Sequence, residues 1–139
     1  MKKLLALIVG MLVLASCEQK SREQVMTPDE VKQTVWALTS EYDAGIPVIL
    51  FENDTKNLAH DNTLAQTVCR LDGSSCYIIF RNCALYDKTI KELAIHEASH
   101  VVVAVHEMLF DHGYEWQKIM KENGIRNPKP GLHNLTCNY

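Results

Sequence analysis

The stretch LAIHEASHVVVAVHEMLFDHGYEW, Leu93 to Trp116, decides how the rest of this chain is read. It contains His96-Glu97-Ala98-Ser99-His100, an H-E-x-x-H pattern, among apolar neighbours that include Leu93, Ala94, Ala98, Val101, Val102 and Val105. Residues four apart on a helix lie on one face. Two imidazoles at that spacing can converge on one zinc ion. Paired histidines in so apolar a stretch need a partner for their ring nitrogens. Glu97, one residue on, can reach a zinc-bound water rather than the metal. Zinc lowers the pKa of such a water to about 7, and a nearby carboxylate can take its proton. His96 and His100 are therefore expected to hold one Zn2+ per chain, with Glu97 as general base. The competing reading is two surface histidines on an amphipathic helix.

A catalytic zinc site uses three protein ligands and keeps one open position. His106 has the spacing of H-E-x-x-H-x-x-G-x-x-H, but Val103 stands where that pattern needs a glycine to end the helix. If the helix continues, His106 points about 120° away from His100. His112 follows a plausible helix end and precedes Gly113, where the chain can turn back. It is the preferred third ligand; Glu115 and Glu122 are the carboxylate alternatives.

Working outward, Asp87 is expected to open a long helix reaching about Leu109, and Tyr114 to Asn123 a second one with Gly124 as its cap. Upstream, Tyr77-Ile78-Ile79-Phe80 is the most strand-like run. Leu64–Leu71 and Cys76–Arg81 flank Asp72-Gly73, which predicts a two-residue hairpin turn. Ile46 to Phe51 reads as a buried strand, and residues 53–62 as a polar loop. Thr27-Pro28-Asp29-Glu30 carries a helix start: Thr27 can cap, Pro28 suits the first turn and Glu30 completes a capping box. Val31, Val35, Leu38 and Tyr42 continue the stripe, and Gly45 is the expected stop. The order is helix, three strands, active-site helix, helix. That predicts an α+β fold with a small antiparallel sheet of about three strands packed on helices.

The chain has 139 residues, room for one domain. Its net charge of −3 gives no basic footprint, so nucleic acid is not expected as a partner. Met1-Lys2-Lys3 followed by an apolar run from Leu4 to Leu14 reads as a signal peptide, too short to span a bilayer. Leu14-Ala15-Ser16-Cys17 resembles the lipobox of bacterial lipoproteins. That resemblance implies cleavage after residue 16, a lipidated Cys17 and anchoring to a membrane. With Glu18 next, it implies the outer membrane, facing the periplasm, in a Gram-negative cell. Residues 17–26 then form a tether and 27–139 a single domain. Four cysteines remain. Cys69 and Cys76 would face each other across the hairpin, leaving Cys83 and Cys137 as the other pair. The other two of the three possible connectivities and a four-cysteine zinc site are the alternatives.

The motif Ile95-His96-Glu97-Ala98-Ser99-His100, followed by Asp111-His112-Gly113-Tyr114-Glu115-Trp116, resembles the SprT-like family of zinc metallopeptidases. Tyr77 to Asn82 resembles that family's strand before the active-site helix. The likeness runs from about Thr27 to Gly124 and is specific at the two histidine motifs. It implies a zincin-like fold, zinc ligands His96, His100 and His112, and Glu97 as general base. It also implies that Cys76–Arg81 pairs with the extended backbone of a peptide or protein substrate. The chain departs from the family in looking exported and acidic, so no DNA-linked role is carried over. The second function class is an inactive zincin-fold binding lipoprotein of the envelope; the third is a zinc hydrolase acting on peptidoglycan crosslinks. His60 and His133 are expected to be solvated, and Trp36 and Trp116 to pack in the core. Asn134-Leu135-Thr136 has the form of a glycosylation acceptor but no expected use.

Overall fold

A computed structural model describes residues 23–53, 58, 63–132 and 137. The expected signal peptide, Cys17, most of the tether, His60, His133 and Asn134-Leu135-Thr136 lie outside the described residues.

Helix α1 runs from Pro28 to Glu41 and begins as its sequence requires. The Glu30 N–H donates to Thr27 Oγ1 at 3.3 Å, and the Thr27 N–H donates to Glu30 Oε2 at 2.7 Å. This reciprocal capping box satisfies two of the helix's unpaired amide donors. The helix ends earlier than Gly45, at Tyr42, and the chain then turns through left-handed Asp43 and Gly45.

Three strands follow: β1 (Val48–Glu52), β2 (Ala65–Cys69) and β3 (Cys76–Arg81). Their spatial order is β1-β3-β2. The β2–β3 hairpin is antiparallel, but β1 lies parallel to β3, with Val48 opposite Tyr77. The sheet is therefore mixed, not antiparallel as expected. The physical reason is burial. β3 is the most apolar strand, and Ile78, Ile79 and Phe80 are all buried, so it takes the centre. β1 ends with Glu52 opposite Arg81 and β2 begins with Ala65 opposite Phe80, so the two flank the same end of β3. β1 is also not the fully buried strand its composition suggests. It alternates, with Ile49 inside and Val48 and Leu50 exposed, as an edge strand with one solvated face does.

The hairpin loop is longer than the expected two residues. Arg70 and Ser75 still pair across it (Arg70 N–H to Ser75 C=O, 3.0 Å), leaving Leu71 to Ser74 as the loop. Gly73 there has φ +68°, and a side chain on it would meet the Ala104 carbonyl oxygen at 2.8 Å. The hairpin tip thus rests on the second long helix, which explains both the glycine and the longer loop.

A 3-10 turn, Asn82–Tyr86, separates β3 from α2 (Ile90–Glu107). Helix α2 starts three residues later than Asp87, because the Asp87 carboxylate accepts from the Thr89 N–H (2.8 Å) and hydroxyl (2.7 Å), forming a turn of its own. It ends at Met108, in the left-handed conformation with φ 52°. Helix α3 spans Tyr114–Glu122. α2 is the centre of the molecule, packed against α1, β2 and α3. Its residues Leu93, Ala94, Ala98, Val101 and Val102 join Val31, Val35, Ile78, Phe80, Trp116 and Met120 in one core. Cys69–Cys76 and Cys83–Cys137 form the two expected disulfides. Among the described residues no helix is long and apolar enough to cross a membrane.

Candidate metal centre

His96 and His100 sit one turn apart on α2, and His112 on the loop between α2 and α3 faces them. Their Nε2 atoms form a near-equilateral triangle: His96 to His100 3.3 Å, His100 to His112 3.1 Å, and His112 to His96 3.2 Å. Mutual hydrogen bonding does not account for this. Each Nε2 carries one in-plane proton or lone pair, yet each faces two others. A shared cation does account for it. Nitrogens bound at about 2.0–2.1 Å around a tetrahedral ion lie about 3.3 Å apart. The donor set fits a metal ion, and three imidazoles leave one tetrahedral position open.

Local sequence delivers the third histidine. Asp111 Oδ1 accepts from the Gly113 N–H at 2.9 Å, closing a turn around His112. A Cβ on Gly113 would sit 2.8 Å from that same oxygen, so the Asp111 carboxylate would have to shift to admit one. The Gln117 side-chain amide donates to the His112 carbonyl at 3.2 Å. Trp116 is fully buried, as expected, and lies against all three imidazoles, with ring centroids 4.8, 5.7 and 4.6 Å from those of His96, His100 and His112. Its indole N–H donates to the His96 carbonyl at 3.3 Å. Trp36 differs from expectation. It is 36% exposed and ties α1 to the segment before β1 through a 3.2 Å bond to the Pro47 carbonyl.

The other possible third ligands are engaged elsewhere. His106 Nε2 donates to the Tyr42 carbonyl at 2.5 Å, at the end of α1. Glu122 Oε2 accepts from the Tyr42 hydroxyl at 2.6 Å; burial first, and then this bond, push the Tyr42 phenol up to about 12. Glu115 forms a surface pair with Lys118 at 3.8 Å. The four cysteines are consumed in disulfides, which removes the four-cysteine zinc alternative.

Glu97 is 2% exposed. Burial pushes its carboxyl from the ordinary 4.5 up to about 7, opposed by hydrogen bonding from Thr67. Thr67 Oγ1 donates to Glu97 Oε2 at 2.7 Å and lies 3.0 Å from the Glu97 carbonyl oxygen. Thr67 was not singled out from sequence. The only available signal was its place in the middle of a strand whose alternation turns it, like its partner Ile78, toward the helices. The expectation that β3 pairs with substrate backbone is corrected: both its edges are already taken by β1 and β2.

No family model, no curated protein and no solved structure matches the chain.

Proposed function

We propose that this chain is a zinc-dependent metallopeptidase, in the manner of the SprT-like zincins that its histidine motifs resemble. The observation that carries the reading is the triangle of three Nε2 atoms 3.1–3.3 Å apart with a glutamate next to one of them in the chain. Imidazole donors suit zinc among the common divalent ions, and the open fourth position is the mark of a catalytic rather than a structural site. Zinc held there supplies Lewis acidity, activating water and polarising a carbonyl.

The chain's own residues do the rest. Glu97 lies about 60° around the helix from His100, so its carboxylate is carried on the same side of α2 as the ligands. It serves as the proton acceptor for the attacking water and returns that proton to the leaving amine. Trp116 backs the three imidazoles and keeps bulk water from their inner side. An extended peptide needs a strand edge, and β2 supplies one: it packs on α2 and, among the described residues, pairs only with β3. Lipidation at Cys17 and placement in the envelope remain part of the same proposal.

The test is metal content and hydrolysis on the purified chain. Wild type should hold about one zinc and cleave an unfolded protein such as casein. Glu97→Gln should keep the zinc and lose cleavage. His112→Ala should lose zinc, while His106→Ala should keep it. A folded wild-type chain that takes up no zinc, or a Glu97→Gln variant with full activity, refutes the proposal.

A further inference from the structure

We infer that Thr67 is a positioning residue for the glutamate of the metal centre: its hydroxyl on β2 fixes the orientation of the Glu97 carboxylate. The inference rests on the hydrolase reading for its consequence in rate. The contact itself is a geometric fact independent of that reading.

The terminal torsion of a glutamate is soft, with broad, roughly two-fold preferences. A carboxylate on a helix therefore rotates unless a neighbour holds one of its oxygens. Thr67 Oγ1 holds Oε2, at 2.7 Å. The Thr67 main chain also hydrogen-bonds to the Glu97 carboxyl, so a single residue holds the group through both its backbone and its hydroxyl. The same hydroxyl lies 3.0 Å from the Glu97 main-chain carbonyl. One side chain thus touches both the backbone and the head group of Glu97, and spans from sheet to helix to do so. No other described side chain hydrogen-bonds to the Glu97 carboxylate.

The position of Thr67 is itself well held. It pairs opposite Ile78, which is fully buried at the centre of the sheet. Two residues along the same strand, Cys69 is cross-linked to Cys76 on β3. Strand register cannot slip without breaking that link, and a one-residue slip would turn Thr67 to the opposite face. The hydroxyl is therefore delivered by a rigid element rather than a loop, as accurate placement of a reacting group requires.

The experiment compares Thr67→Val, which keeps the shape and removes the donor, with Thr67→Ser, which keeps the donor. Both are made in the full chain and loaded with zinc or with cobalt. Thr67→Val should lower kcat on casein-derived peptides by about 10-fold or more, with KM and metal content unchanged, while Thr67→Ser restores most of the rate. The visible spectrum of cobalt-loaded Thr67→Val should differ from wild type, because the carboxylate of the residue that follows ligand His96 is released, and that of Thr67→Ser should not. A Thr67→Val variant with wild-type kcat and spectrum overturns the inference. So does equal loss in the valine and serine variants, or a loss traced to absent metal. A wild type that binds cobalt and shows the Thr67-dependent spectrum without hydrolysing peptides refutes the peptidase reading and leaves the positioning role standing.

Discussion

Replacing Glu97 by glutamine should stabilise the metal-free protein, and the gain should depend on pH. Glu97 is 2% exposed, and its carboxyl is pushed from 4.5 up to about 7, first by desolvation. A raised folded-state pKa means that the native chain holds its proton more tightly than the unfolded chain. The associated stability is fully present below pH 4.5 and is lost as pH rises through 7. The gap between 4.5 and about 7, at about 1.4 kcal/mol per unit, makes the ionised carboxylate cost about 3 kcal/mol above pH 8. Glutamine is neutral at every pH and can still accept from Thr67. At pH 5, only just above the unfolded value, the variant should gain about 1 kcal/mol or less. At pH 8 the variant should be more stable by about 3 kcal/mol, or about 10 °C in Tm for a domain of this size. The assay is thermal unfolding by calorimetry at the two pH values, with a chelator present throughout. The histidine cluster is common to both chains, so the difference between them isolates Glu97. Equal Tm shifts at pH 5 and pH 8, or a variant less stable at pH 8, would refute the reasoning.

Two further predictions concern the scaffold. The Cys83–Cys137 link closes a long loop, with a sequence separation of 54, and Cys69–Cys76 a short one, with a separation of 7. In the chain-entropy account their removal to serine pairs should cost about 4 and about 2.5 kcal/mol respectively, and denaturant titration should show that ranking. Gly73 and Gly45 both have positive φ, but a Cβ on Gly73 runs into the Ala104 carbonyl while one on Gly45 meets nothing. Gly45→Ala should cost about 1 kcal/mol from the backbone alone. Gly73→Ala should cost measurably more in the same urea titration, and equal costs would mean that the hairpin tip does not press on α2.

Much of the site was legible in the sequence because helix spacing is rigid. His96, Glu97 and His100 are fixed relative to one another by the pitch of α2 alone. His112 was reachable because Asp111 and Gly113 mark a turn. The capping box at Thr27 was legible for the same local reason. What local signals do not carry is the order of strands. The pattern of β1 says that it is a strand, but not that it joins the far side of β3 and runs parallel to it. That outcome depends on which strand gains most from burial on both faces, a property of the whole chain. Thr67 was hidden for the same reason: its importance comes from contact with a residue thirty positions away in the chain. Trp36 misled because an indole is large enough to be both half-exposed and firmly packed.

The central place of β3 also bears on the order in which the chain folds. β2 and β3 are neighbours in sequence and meet across a four-residue loop, whereas Val48 meets Tyr77 only after a much longer stretch has closed. Loop-closure entropy favours the short contact, and hairpins form in microseconds. The hairpin, already carrying Thr67 in register, is thus the early template, and β1 is a late addition to its open side. Mutations in β1 should then act mainly on the unfolding rate, and those in the hairpin on the folding rate. On that order the element that holds the glutamate would be assembled before the fold around it is complete.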